Sequence, residues 1–307
     1  MTIVPISRVY PGGSEVLKPR KIIFSRKGFD TSSGGCPSPI LPDGRLLSLP
    51  IPDTRSKVRF GDIEHSGINL SDPVKALTKG RLDGASGAHI DPDLNATAIA
   101  RQPGWRPVFG QSGAAQGHLH NQQVGAGDLF VFFGLFRPVL REGDGWRFDP
   151  ASPARHVIWG WLQIGDILKV DQADENLRHW AGYHPHFRWS DDPSNTLYLP
   201  QNRLEMGGGT SLSGSGCFKH FSSSLQLTDR RAERPGIWAL PRWCFPKASG
   251  EVPLSYHGRT DRWRRDTHQV VLQAVSRGQE FVLDTQAFPE AVRWMRCILT
   301  SNATLQD

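Results

Sequence analysis

The sequence predicts an α+β fold that is predominantly β, with a small, tightly curved barrel and a few packed helices. Three observations predict it. Glycine and proline are abundant, 32 and 23 in 307 residues, so many turns should join short strands. Two apolar runs, 129–136 (LFVFFGLF) and 156–163 (HVIWGWLQ), each carry an internal glycine, Gly134 and Gly160. Strand glycines mark bends or close backbone approach, which suits a curved barrel. Helical patterning stands out in two longer segments only. Residues 171–181 place Leu177 and Trp180 on one side with Gly182 as a stop, and 289–299 space Val292, Met295 and Leu299 helically.

In chain order, residues 1–20 read as an irregular lead-in and 21–24 (KIIF) as a strand. Pro42-Asp43-Gly44 signals a turn before a strand at 45–51. Ser71 caps a short helix running through Ala76 and Leu77, with Gly80 as its stop. Residues 111–120 (QSGAAQGHLH) allow one helical turn. Gly125–Gly127 makes a tight turn that Asp128 ends before the first apolar run, and Gly165-Asp166 leads on to a strand at 167–170. Residues 206–217 (MGGGTSLSGSGC) read as a flexible lid or linker. Strands are expected at 225–228 and 278–284, the latter bringing Glu280 and Asp284 to one side. One domain over 1–307 is expected, with a barrel core around 120–190. A boundary, if there is one, falls near 206–216.

Several function classes are excluded. Residues 206–217 lack the third glycine of a dinucleotide fingerprint, where Leu212 stands, and the Gly-Lys-Ser/Thr of a P-loop. Cys36, Cys217, Cys244 and Cys297 form no Cys-x-x-Cys pair, which excludes a zinc ribbon and speaks against a disulfide framework. No apolar stretch is long enough to span a bilayer and the N-terminus carries no signal-peptide pattern, so a cytoplasmic location away from membranes is expected. The formal charge of +6 permits a polyanionic partner.

Residues 21–39 (KIIFSRKGFDTSSGGCPSP) organise the reading of chemistry. Ser25, Arg26 and Lys27 stand at a strand's exit, followed by Gly28, Asp30, Ser32, Ser33, Gly34 and Gly35. Small residues let backbone N–H groups point at one spot beside fixed cations, which suits a phosphate. The plainer alternative is a surface loop with a basic edge. His89, Asp91 and Asp93 alternate at spacing two, and an extended segment would present them on one side as acid and base or as metal ligands. A turn-forming Asp-Pro-Asp is the competing reading. The segment is no calcium loop, because Ala96 and Gln102 stand where Gly and Glu are required. Gln111 and His118 could read a base edge by hydrogen bonds. His184 and His186 could bind metal from a strand, but no third ligand is near in sequence. The run 259–265 (RTDRWRR) could track a phosphate backbone while Trp263 stacks.

Residues 124–170, with Gly-Asp before an apolar strand and a second apolar strand with a central glycine, resemble the small PUA, ASCH and EVE barrels. That resemblance implies binding of RNA or modified bases. Residues 25–30 (SRKGFD) with Gly34-Gly35 and Pro37-Ser38-Pro39, residues 89–94, 127–134 and 278–284 resemble the third class of nucleotide modification associated domains. The family resemblance implies participation in hypermodification of DNA bases in phages and bacteria, beside other modification enzymes. It implies no catalytic residues.

The expected function is therefore binding of a nucleotide, or a base in DNA, and participation in its modification. The phosphate set is Ser25, Arg26, Lys27, Asp30, Ser32, Ser33, Gly34 and Gly35. The base set is Gln111 and His118, and the catalytic set is His89, Asp91, Asp93 and Glu280. A divalent metal is left open as cofactor. The alternative is a non-catalytic, PUA-like reader of modified DNA that recruits other enzymes.

Overall fold

The computed structural model describes residues 18–303 apart from 144, 277 and 279, so the lead-in reading falls almost wholly outside the described residues. The chain is mostly β, with a curled half-barrel sheet and four α-helices among the described residues. The sheet strands are β1 (Lys21–Arg26), β2 (Ser38–Ile40), β3 (Phe109–Gln111), β4 (Leu129–Glu142), β5 (Gly145–Phe148), β6 (Arg155–Lys169), β7 (Thr196–Pro200), β8 (Ser215–Cys217) and β9 (Glu280–Asp284). The path across the sheet is β9-β1-β4-β6-β7-β3, with β2 and β5 paired to β4 and β8 to β6. The β1–β4 and β2–β4 pairs are parallel and the others antiparallel. The helices are α1 (Ser71–Leu77), α2 (Gly113–Asn121), α3 (Glu175–Ala181) and α4 (Glu290–Asn302).

The apolar run in β4 lacks in–out alternation because both of its faces are covered. Phe130 and Phe132 pack on Phe109 with ring centroids 4.8 and 5.2 Å apart, while Phe133 points the other way, onto Trp238 and Phe281. Register shifts after Ile158 and Ile164 break the β6 ladder, and such bulges bend a strand and increase its twist. Gly134 and Gly160 mark close approaches. A Cβ on Gly134 would lie 2.6 Å from the Lys27 carbonyl, and one on Gly160 3.0 Å from the Gly216 carbonyl. Gly134 thus allows the Lys27 backbone to lie against β4, where its N–H donates to the Phe133 carbonyl at 2.8 Å.

Several expectations are corrected. Residues 156–163 and 167–170 belong largely to one continuous strand, β6, because bulges rather than a loop absorb the irregularity. Of the expected strand at 45–51 only Ile51 lies in a strand, Ile51–Pro52, and residues 225–228 contribute the end of a 3-10 turn and isolated bridges. Residues 206–217 are strand-forming rather than a linker: Gly209–Ser213 is a strand and β8 pairs with β6. The 171–181 helix begins at Glu175, where the Asp174 side chain accepts the Leu177 N–H. Trp263 is buried and its indole N–H donates to the His257 carbonyl, so its ring serves the core instead of a base.

Candidate functional site

A polar cleft of about 430 Å³ opens where β1 ends, lined by Arg26, Lys27, Asp30, Ser32, Ser33, His89, Asp91, Gln111, His186 and Trp189 among others. Its walls come from six separate stretches: the β1 exit loop, Ile51, the segment at His89 and Asp91, the β3 end, the 3-10 turn Pro185–Trp189, and Ser276 with Gly278 ahead of β9.

One end of the cleft is imidazole and carboxylate. Ala88–His89 pairs with Ile51–Pro52, which brings His89 beside Asp53. The His89 Nδ1 lies 3.2 Å from Asp53 Oδ2, and Arg188 binds the same carboxylate at 2.5 Å. Burial opposes charge on Asp53, but Arg188, the Arg55 N–H and His89 outweigh it and bring its pKa down to about 2. An ionised Asp53 must accept, so His89 carries its proton on Nδ1 and turns a lone pair on Nε2 toward Asp91 Oδ2, 3.9 Å away.

His186 repeats this arrangement from the far side. Asn195 donates its amide N–H groups to the His186 and Trp189 carbonyls, which leaves its Oδ1 to accept from His186 Nδ1 at 2.5 Å. The His186 Nε2 is 3.5 Å from Asp91 Oδ2. Gly110 makes room for this ring, since a Cβ there would lie 2.3 Å from its Cδ2, and the Gly110 N–H donates to Asp91 Oδ1 at 2.8 Å. His184, fully buried, places Nε2 3.3 Å from Asp91 Oδ1. Burial works against ionisation of Asp91, but the His184 and His186 rings more than offset it and hold the carboxyl well below the usual range. Burial likewise disfavours charge on His186, yet Asp91 and Asn195 raise its pKa. For His89 burial wins and the pKa falls. One donor atom each from His89, Asp91 and His186 fall within 4.8 Å of one another, a spacing that could hold a metal ion.

The other end is cationic but already engaged. The backbone cradle expected over residues 28–35 is turned inward: Asp30 Oδ1 accepts the Ser32 and Ser33 N–H groups at 2.7 Å each, and the Gly35 N–H goes to the Asp30 carbonyl. Local side-chain capping of this kind competes with any external anion. Gly34 and Gly35 serve packing, since Cβ atoms there would strike the Phe29 ring and the Arg81 guanidinium. Arg26 donates to the Val275 and Ser276 carbonyls. Lys27 pairs at 3.1 Å with Glu280 Oε1, which also accepts from Ser25 at 3.0 Å and Gln111 at 2.6 Å. The Glu280 Oε2 is buried and has no hydrogen-bond partner among the described residues.

Of the predicted residues, the cleft gathers Arg26, Lys27, Asp30, Ser32, Ser33, His89, Asp91 and Gln111, with Glu280 and Ser25 directly behind them. It does not gather Asp93, which faces a separate chamber of about 50 Å³ and forms a bidentate pair with Arg101 at 2.6 and 2.7 Å. His118 lies outside the cleft lining, bonded to Ser255 and packed on Tyr256. Asp284 is not brought beside Glu280 either, because it pairs with Lys21 at the opposite end of β1. Sequence reasoning missed Asp53, Asn195 and the meeting of His186 with Asp91. The only signal was the His-x-His spacing at 184–186, and its partners lie roughly 95 residues upstream.

Fold and site together define a mostly β protein with a curled half-barrel sheet and an ionisable, mixed-charge cleft where β1 ends. The family model described as nucleotide modification associated domain 3 matches residues 21–284, most of the chain, and the chain belongs to that family. The matched span begins and ends on residues that face each other, since Lys21 of β1 pairs with Asp284 of β9. The family's association is with nucleotide modification. No similar curated protein and no similar solved structure was found. Among the described residues no helix is long and apolar enough to cross a membrane.

Proposed function

We propose that this chain is an enzyme that acts on a nucleotide, or on a base in DNA, within this cleft. The observation that supports the reading best is the convergence of Arg26 and Lys27, Gln111, and His89 with Asp91 and His186 on one volume. About 430 Å³ is within the range of small-ligand pockets, so one nucleotide would enter. A base in duplex DNA would first have to leave the stack. Arg26 and Lys27, flanked by Ser32 and Ser33, would face phosphate. The half-buried Trp189 ring lines the same cleft, with the Arg55 and Arg188 guanidinium groups over it at 4.8 and 5.6 Å. His89 and Asp91 form the reacting end, and Glu280 sets Lys27 and Gln111 in place. Asp93 supports the wall from behind.

The test pairs binding with turnover. Deoxynucleoside monophosphates and short single-stranded DNA would be titrated by calorimetry, and products read by mass spectrometry after digestion to nucleosides. Lys27→Gln should weaken binding about tenfold, the worth of roughly one charge-assisted contact. His89→Ala should spare binding and lower product formation at least about a hundredfold, as loss of an acid–base or ligand group does. Undiminished product from His89→Ala would remove the catalytic assignment and leave a PUA-like reader. Absence of binding to any nucleotide or DNA would sink both.

A further inference from the structure

We infer that His89, Asp91 and His186 form a mononuclear site for a divalent first-row transition-metal ion, open toward the cleft. The inference deepens the reading above by putting a metal at its reacting end, and it stands on four observations. The first is distance: His186 Nε2 and His89 Nε2 lie 3.5 and 3.9 Å from Asp91 Oδ2. Bonds of 2.0–2.2 Å to one ion require donors about 3.0–3.5 Å apart, so these two separations are within a few tenths of an ångström of that, and the His89–His186 separation is no more than 4.8 Å.

The second is tautomer. Asp53 and Asn195 each take an Nδ1 proton, which leaves both Nε2 lone pairs for a ligand. Carboxylate or carbonyl partners behind metal-binding imidazoles fix ring orientation in this way. The third is His184, whose side chain is 0% exposed and whose two ring nitrogens find no hydrogen-bond partner among the described residues, with Nε2 3.3 Å from Asp91 Oδ1. It would orient the ligand carboxylate from outside the coordination shell. The fourth is Gly110, where any side chain would occupy the His186 ring's place.

Donor chemistry narrows the ion. Two imidazoles and one carboxylate disfavour Mg²⁺ and Ca²⁺, which prefer oxygen, and no thiolate is present to select Cu(I). Three protein donors leave coordination positions for water or substrate on the cleft side, as catalytic sites require and closed structural sites do not. The set of two histidines and one carboxylate is the one that hosts non-haem Fe(II).

The experiment uses the full chain, stripped with a chelator and reloaded without nucleotide. Fe²⁺ (anaerobically), Co²⁺ or Zn²⁺ should bind at one equivalent, read by calorimetry and by metal analysis after gel filtration, and Mg²⁺ should not. His89→Ala, His186→Ala and Asp91→Ala should each lose at least 90% of the bound metal, while His268→Ala, an exposed histidine, should retain it. His184→Gln should keep the stoichiometry and lose about 10–100-fold in affinity. In case the alanine variants misfold, the Cu²⁺-loaded wild type gives an independent readout: pulsed EPR should show the remote nitrogens of two coordinated imidazoles. Wild type that binds no transition metal, metal retained by all three variants, or a spectrum without two imidazoles overturns the proposal. Nucleotide binding is measured separately, so either reading can fail while the other stands.

Discussion

Asp91 and Asp93 leave the same short segment, with side chains 5% and 1% exposed, in opposite company. Asp93 meets a guanidinium: Arg101 grips both of its oxygens, Tyr183 donates its hydroxyl to Oδ2 at 2.5 Å, and Trp105 covers Arg101 from 4.2 Å. Asp91 meets three imidazoles and one backbone N–H, and lines the cleft. A guanidinium carries a permanent charge, whereas imidazole is the side chain suited to exchanging protons or accepting a metal. Burial alone therefore does not separate a structural carboxylate from a reactive one. The identity of the partners does.

The comparison makes its largest prediction at Asp93. Asp93→Asn leaves the Arg101 guanidinium, whose side chain is 11% exposed, without its counter-charge. Breaking one side of a buried pair costs about 3–5 kcal/mol. Chemical denaturation should show that loss at both pH 6 and pH 8.5, because a guanidinium is charged at either pH. A loss under about 1 kcal/mol would mean that Asp93 is not the structural member.

A second prediction asks what Asp91 does for its histidines. His156 is as well buried as His186 but has a Trp238 indole N–H donating to its Nδ1, and no carboxylate bonded to it. Burial brings its pKa down to about 3, while His186 is raised. For His156 the folded value is below the unfolded one of about 6.5, so between them the unfolded chain binds the extra proton. Stability should fall as pH drops through that window, by about 3 kcal/mol at pH 4 from this group. His156→Gln, which keeps an acceptor for Trp238, should flatten the pH dependence of the unfolding midpoint by a corresponding amount. An unchanged acid limb would show that His156 is not held neutral by its surroundings.

Much of the framework was legible in the chain. The run 129–136 reads as a strand because every position is apolar, and it is apolar because two different cores press on β4. Gly134 and Gly160 were legible as close approaches, for the same local reason. His89 and Asp91 were legible as a candidate pair because their spacing is local. What failed has two causes. His186 does not announce Asp91, which lies 95 residues upstream, and Arg101, although only eight residues after Asp93, reaches it through an irregular segment with no periodicity to read. Residues 28–35 misled in a different way. Their amides do converge, but on Asp30, which the sequence places within the loop itself.

The smallest expected effect is the most discriminating. Asp91→Asn keeps an acceptor for the Gly110 N–H, and what it removes is attraction to His186 and His184. Asp91 raises the folded pKa of His186, so this attraction contributes fully below the unfolded value of about 6.5 and vanishes as pH rises through the folded value. In chelator-treated protein at pH 8.5, Asp91→Asn should therefore change stability by no more than about 1 kcal/mol, with a larger loss at pH 6. Asp93→Asn should show no such difference between the two pH values. Parallel pH behaviour of the two variants would erase the distinction, because it would mean that Asp91, like Asp93, answers to a charge that does not titrate.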